Sequence, residues 1–297
     1  MKKKTRRGRA KRNALQNCKI MLNNVRGYKT KQMVIKRIIE EEKPTMIAFT
    51  ETKLNKKDEV KIDGYLIKRV DRDEDGGGVM LAYKPVMKNI MICTAEIKLH
   101  NAEILWYKID NGRAKVNLGV VYMPQESRTK LDKLKEIYKK IEEQVKQARE
   151  KNESILIMGD LNCKIGKEIK DNKEEISKGG KLLINIMKKH RMKAVNAEKC
   201  NGLWTRIEGD QKSVLDYVIV FEEDLEKVKS MDIDNEKDIT PYYIEKDENN
   251  RKVRKYSDHL MITVHMQMVL KLKEETKYAI VMDNEGMKKF ADELKKK

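Results

Sequence analysis

The sequence predicts an α/β fold of two packed β-sheets flanked by helices, and three observations carry that prediction. Short apolar runs bounded by Gly, Asn and Asp recur along the chain, as buried and half-buried strands do. A few longer stretches repeat their apolar residues three or four apart, the mark of a helix with one covered face. Hydrophobic residues make up 39% of 297, enough for a sizeable core, and no internal repeat points to a solenoid.

Taken in order, Cys18 to Val25 reads as a strand and Thr30 to Lys43 as a helix, on the spacing of Met33, Ile35, Ile38 and Ile39. Met46 to Phe49 follows as a short strand. Val79 to Tyr83, Ile104 to Ile109 and Val116 to Met123 are separated by turn residues such as Gly76-Gly77-Gly78 and Asn111-Gly112, which predicts consecutive, mostly antiparallel strands. Leu131, Leu134, Ile137, Tyr138, Ile141, Val145 and Ala148 place a helix over 127–151, with Ser127 as its N-cap and its apolar stripe on a sheet. Ile155 to Met158 is then a buried strand ending at Gly159-Asp160. Leu182 to Lys189 reads as a helix, and Val214 to Phe221 and Leu260 to Met268 as further strands. Residues 222–256, charged and weakly periodic, read as an irregular connection with one helical turn at most.

Charge narrows the partners. Lys and Arg number 66 against 48 Asp and Glu, a formal charge of +18. Lys2, Lys3, Lys4, Arg6, Arg7, Arg9, Lys11 and Arg12 crowd the first twelve residues with no acid among them. We therefore expect a basic disordered tail over 1–16, a folded domain over 17–268 and a charged extension over 269–297. Each cation that meets a phosphate releases counterions, so a basic body with a basic tail suits a polyanion such as DNA; the tail also fits a nuclear-localisation patch. Cys18, Cys93, Cys163 and Cys200 lie far apart without CxxC spacing, which argues against a zinc ribbon, a redox motif or a disulfide framework and for a reducing compartment. No apolar run approaches the ~18 residues that cross a bilayer. The expectation is a soluble intracellular protein, nuclear in a eukaryote, with no membrane partner, no organic cofactor and no implied oligomer.

Acidic and amide residues cluster at the ends of the strand-like runs: Asn24, Glu51, Asp160, Asn162, Asp216 and the pair Asp258-His259. Side chains at strand ends converge on one rim of a sheet. Singly, each has an ordinary explanation as a turn former, cap or solvated acid.

Taken together, Asn24-Val25-Arg26-Gly27, Thr50-Glu51-Thr52, Tyr122-Met123-Pro124, Gly159-Asp160-Leu161-Asn162, Leu215-Asp216-Tyr217 and Ser257-Asp258-His259 resemble the successive motifs of the endonuclease/exonuclease/phosphatase superfamily. The resemblance runs from about Cys18 to Met268. It implies a four-layered α/β sandwich, two mainly antiparallel sheets face to face with helices outside, and hydrolysis of phosphodiesters with a divalent metal, Mg²⁺ or alternatively Mn²⁺. Such chemistry needs an attacking water, a cation against developing phosphoryl charge and donors that hold the transition state. By the resemblance Glu51 and Asp258 hold the metal, with Asn24 completing or orienting that shell. Asp160 activates the water and Asn162 fixes its carboxylate. His259, oriented by Asp216, stabilises the phosphate as a cation, Tyr122 serves as a phosphate or leaving-group donor, and Thr205, Ser257 and Arg26 contact substrate.

Arg26 stands where abasic-site endonucleases usually carry an acid, and no Trp precedes Asn24 as it does in them. The pattern is closer to the endonuclease domain of non-LTR (LINE-type) retrotransposons, whose members often show Asn-x-Arg-Gly. Lys277-Tyr278, Asp283, Lys288, Phe290 and Leu294 resemble the connector that those elements place before a reverse transcriptase. The expected activity is DNA nicking that leaves a 3′ hydroxyl; the alternatives are an inactive nucleic-acid-binding relic and a phosphatase of a small phosphorylated substrate.

Overall fold

The first and last strands among the described residues pair with each other. In the computed structural model, which describes residues 14–73 and 76–270, Ala14–Asn24 pairs antiparallel with Ile262–Leu270, from Ala14 opposite Leu270 to Leu22 opposite Ile262. These two are central in a seven-stranded sheet of order Cys200–Asn201, Val228–Ile233, Ile262–Leu270, Ala14–Asn24, Met46–Thr50, Val79–Tyr83, Leu66–Val70. A six-stranded sheet runs Met91–Leu99, Ala102–Asp110, Lys115–Tyr122, Ser154–Asp160, Asp216–Phe221, Met192–Ala194. Ala14–Asn24 lies parallel to Met46–Thr50, and Lys115–Tyr122 parallel to Ser154–Asp160; most other neighbours are antiparallel.

Strand periodicity distributes the core into three seams, because alternate side chains point to opposite faces. Ile20, Leu22, Ala48 and Leu81 meet Leu105, Val120, Leu156 and Val218 between the sheets. From the outer face of the first sheet, Met21, Ile47, Phe49 and Met80 pack on Ile35, Ile38 and Ile39 of helix Gln32–Glu42. From the outer face of the second, Ile104, Trp106, Ile155 and Ile157 pack on Leu134, Ile137 and Ile141 of helix Leu131–Glu150 and on Leu183 and Ile186 of helix Lys178–Lys189. The order helix, sheet, sheet, helices is the expected four-layered sandwich.

Three local expectations change. Helix Leu131–Glu150 begins after Lys130, with no side-chain cap, and Ser127 falls in the preceding 3-10 turn Glu126–Arg128. Helix Lys178–Lys189 starts ahead of Leu182 and is capped by Ser177, whose hydroxyl accepts from the Gly180 amide. The helix uses the missing side chain of Gly180: a Cβ there would stand 1.9 Å from the Lys164 carbonyl oxygen.

Residues 222–256 are the third change. They fold into a 3-10 turn, the strand Val228–Ile233 and a hairpin of Tyr242–Lys246 with Lys252–Tyr256. Their periodicity is hidden for two reasons. The strand shifts register between Val228 and Ser230, so its apolar residues do not alternate, and the hairpin carries charged residues on both faces. The strand read as starting at Cys18 begins at Ala14, which puts Ala14 to Gln16 of the expected tail in it. The basic residues of 1–12 and the connector-like residues beyond 270 lie outside the described residues. No helix among the described residues is long and apolar enough to cross a membrane.

Candidate active site

Four strands, two from each sheet, end at one rim, and their last residues turn sharply there. Ala14–Asn24 and Met46–Thr50 deliver Asn24 and Glu51; Lys115–Tyr122 and Ser154–Asp160 deliver Tyr122 and Asp160. Arg26, Glu51 and Asn162 all have positive φ, between 44° and 49°, a conformation that side-chain-bearing residues adopt only where their surroundings hold them. Here the holders are visible. Asn24 Oδ1 accepts from the Arg26 amide at 3.0 Å, and the Gly27 amide donates to the Glu51 carbonyl at 2.8 Å.

A chain of hydrogen bonds joins the two sheets through these residues. Asn24, fully buried, donates from Nδ2 to Asp160 Oδ2 at 2.8 Å and to Glu51 Oε1 at 3.2 Å. Tyr122 donates its hydroxyl to the same Glu51 oxygen at 3.0 Å. Asp160 also accepts from the Asn162 backbone at 3.0 Å and from its Nδ2 at 3.1 Å, while that amide nitrogen reaches the Met123 carbonyl at 2.7 Å. Burial pushes the Asp160 carboxyl up to about 7, with repulsion from Asp216 adding and the nearby His259, Asn24 and Asn162 opposing. Burial likewise raises the Tyr122 hydroxyl, with Glu51 and Asp160 adding, so it stays a donor.

Beside this chain lies a second buried pair, His259 Nδ1 with Asp216 Oδ2 at 2.7 Å. Burial alone would lower the imidazole, but the Asp216 charge and hydrogen bond, with Asp160 and Asp258 behind them, raise it to about 9. Asp216→Asn removes the largest of those attractions, so the imidazole is expected to fall. Imidazole NMR of the metal-free protein is expected to show His259 titrating near 9 in the parent and lower in the variant; an unmoved titration would mean that Asp216 does not set its charge.

Thr205 and Ser257 act behind the site. Both are buried and neither lines the cleft. Thr205 Oγ1 accepts from the amides of Leu215 and Asp216 at 3.0 and 3.1 Å, and Ser257 donates to the Asn24 carbonyl at 2.6 Å. In place of the substrate contact that the resemblance implies, they brace Asp216 and Asn24.

Above the buried groups opens a cleft of about 520 Å³, lined by Glu51, Tyr122, Asn162, Asp258 and His259 together with five cations: Arg26, Lys53, Arg72, Arg128 and Arg206. Motif reading finds only Arg26 among the five. Arg26 Nη1 and Arg206 Nε both reach Asp258 Oδ2 at 2.8 Å. Arg72 is fixed from below by Glu103, a carboxylate 1% exposed, through Nε to Oε1 at 2.7 Å and Nη2 to Oε2 at 3.1 Å. Its guanidinium sits 5.6 Å from the Tyr122 ring centroid. A charged residue inside the apolar run Ala102–Asp110 was the only sequence signal for that pair.

For a divalent cation the fit rests on Asp258. Its Oδ2 serves the two arginines, but Oδ1 is buried with no partner, as an oxygen kept for a ligand would be. Glu51 lines the same cleft and offers a second carboxylate, the sparse all-oxygen set that Mg²⁺ accepts with retained water. Asn24 turns its N–H groups to Glu51 and Asp160, so it orients Glu51 of that pair. Ligand atoms of Asp160, Asp216 and His259 also lie within 4.8 Å of one another, but His259 Nδ1 is already committed to Asp216 and an imidazole suits a hard cation poorly.

Residues 116–263 match a family model described as endonuclease-reverse transcriptase. Among solved structures the chain is similar to the AP endonuclease LMAP from Leishmania major, with a TM-score of 0.66 and 14% identity over 85% of this chain and 88% of that one. The endonuclease domain of TRAS1, a telomere-specific non-LTR retrotransposon, gives 0.59 and 14% over 86% and 100%. A 3′ phosphatase from Neisseria bound to a product DNA hairpin gives 0.62 and 13% over 84% and 99%. No curated protein matches it in sequence. The stretch matched in sequence carries Tyr122, Asp160, Asp216 and His259, and the likeness in fold extends over most of the chain, so the chain matches the endonuclease/exonuclease/phosphatase superfamily in fold and, over 116–263, in sequence.

Proposed function

We propose that the protein is a divalent-metal-dependent phosphodiester hydrolase, an endonuclease of retrotransposon origin that nicks DNA and leaves a 3′ hydroxyl. One observation carries the reading: the buried Asp160, tied to Asn24 and Asn162, lies beside the His259–Asp216 pair beneath a cleft walled by five cations. The likeness to the TRAS1 endonuclease domain and to AP endonucleases supports it, as does the formal charge of +18.

In this reading Asp160 takes a proton from water as its oxygen attacks phosphorus, and the bond from phosphorus to the 3′ oxygen breaks. A carboxyl raised towards neutrality is a competent base at physiological pH. Asn162 and Asn24 keep that carboxylate aimed, and His259, held cationic by Asp216, meets the phosphoryl charge. Tyr122 keeps its proton and donates it in a hydrogen bond to substrate oxygen. Mg²⁺ held by Glu51 and Asp258 would offset charge on the phosphoryl oxygens. The leaving oxygen collects a proton and remains as the 3′ hydroxyl.

Supercoiled plasmid with Mg²⁺ tests this directly. Nicked circles are expected, sealable by a ligase because their ends are 3′ hydroxyl and 5′ phosphate, and chelation is expected to abolish them while DNA binding persists. Nicking undiminished by chelation would end the metal mechanism. A folded protein that neither binds nor nicks DNA would end the endonuclease reading.

A further inference from the structure

The hairpin Tyr242–Lys246 with Lys252–Tyr256 has two unlike faces. Cross-strand pairs Tyr242 with Tyr256, Ile244 with Arg254 and Lys246 with Lys252 share one face, since alternate residues point the same way. That face carries two aromatic rings, one exposed isoleucine and three cations, without an acid. Ring contacts confirm the grouping: Tyr242 and Tyr256 lie 5.3 Å apart between centroids, Arg254 stacks 4.8 Å over Tyr242, and Lys237 stands 5.5 Å over Tyr256. Ile244 is 54% exposed. The opposite face has neutralised itself through Glu245 and Lys255, 3.9 Å apart, and is pinned down by Tyr243, whose ring lies 5.3 Å from the ammonium of buried Lys31.

Both ends of this hairpin are fastened to the site. The Ser257 amide donates to the Pro241 carbonyl at 2.9 Å and closes its base, and Ser257 is the residue that holds Asn24. Lys31 donates to the Val25 carbonyl at 2.8 Å, in the turn that carries Arg26. The cationic face is thereby fixed relative to the cleft, and among the described residues no acid pairs with Lys246, Lys252 or Arg254.

We propose that this face grips unpaired nucleotides of the DNA strand that runs through the cleft. The inference rests on the nuclease reading and adds to it a preference for single-stranded character beside the cut. Lys246, Lys252 and Arg254 answer phosphates. Tyr242 under the flat Arg254 guanidinium, together with Tyr256 and Ile244, answers the faces of bases, which an intact duplex hides and a single strand exposes.

The test compares binding of the full chain, with divalent metal chelated, to a blunt DNA duplex and to the same duplex carrying a short oligothymidine gap. The gapped probe is expected to bind about tenfold tighter, the scale of stacking one or two bases. Lys252→Ala with Arg254→Ala, two exposed substitutions that leave the hairpin's aromatic pair in place, should bring that ratio near one, as should Tyr242→Ala; Tyr242→Phe should keep it, because the ring and not the hydroxyl does the stacking. Equal affinity of the parent for both probes, or a ratio untouched in the alanine variants, overturns the proposal. Plasmid nicking run in parallel separates the two readings: nicking with a ratio of one sinks the grip alone, whereas no nicking and no binding of either probe sinks both. Displacement by oligoglutamate together with a ratio of one would give the face to an acidic protein and also overturn it.

Discussion

Asp160→Asn is expected to lower plasmid nicking by about 10³-fold, in the range that loss of a positioned general base produces, while DNA affinity changes little. The binding expectation follows from burial: Asp160 is 0% exposed and the cations of the cleft stand above it. Rate is lost because the amide cannot accept the proton of the attacking water. It also faces the donors Asn24 Nδ2 and Asn162 Nδ2, which the carboxylate satisfies at 2.8 and 3.1 Å, so a loss of about 1–3 kcal/mol in stability from mismatched donors accompanies it. Nicking kinetics at a temperature where both proteins are folded by circular dichroism separates the two effects. A variant that keeps a tenth or more of the parent rate would remove Asp160 from the base role.

The residue just before it carries the largest expected effect on stability. Gly159 sits opposite Val121 in the parallel pairing of Lys115–Tyr122 with Ser154–Asp160, at φ 152°. A Cβ there would lie 1.8 Å from the Val121 carbonyl oxygen, and that oxygen is backbone inside the sheet, so it has nowhere to go. Gly159→Ala is expected to cost about 4 kcal/mol or more, at the exceptional end of single substitutions, and to lower the melting temperature by roughly 8 °C or more for a domain of this size. A melt within about 2 °C of the parent would show that the strand pair yields more readily than its geometry allows. The motif Gly159-Asp160-Leu161-Asn162 is thus steric before it is chemical, because the close approach of two strands is what brings Asp160 to the rim beside Tyr122.

How far the sequence reveals the molecule depends on whether a residue's partner is implied by its own neighbourhood. Asp160 and Asp216 border long apolar runs, so strand period alone places them at a sheet rim, and Glu51 ends a run in the same way. Their order along the chain then suggests one site. Arg72 and Arg206 were invisible, since each gains its meaning from a residue far away, Glu103 or Asp258. Thr205 and Ser257 were legible as important but not for the right reason: a hydroxyl next to a motif looks the same whether it faces substrate or a backbone amide. The hairpin over 242–256 was lost because its organising contrast lies between two faces that both carry charged residues, and hydrophobic period does not register such a contrast. Helix Gln32–Glu42 and the strands Val79–Tyr83 and Ser154–Asp160, each with a covered apolar face or run, were read nearly to the residue.

The pairing of Ala14–Asn24 with Ile262–Leu270 bears on when the site is completed during synthesis. Asn24 is made early, but its carbonyl waits for Ser257, and Asn23 Nδ2 waits for the His259 carbonyl at 2.9 Å. Contacts between such distant parts of a chain form late because their loops are the most costly to close. A nascent chain still attached to the ribosome would therefore hold Glu51, Tyr122 and Asp160 without Asp258 or His259. On the proposed nuclease reading, cleavage would wait until nearly the whole domain had emerged.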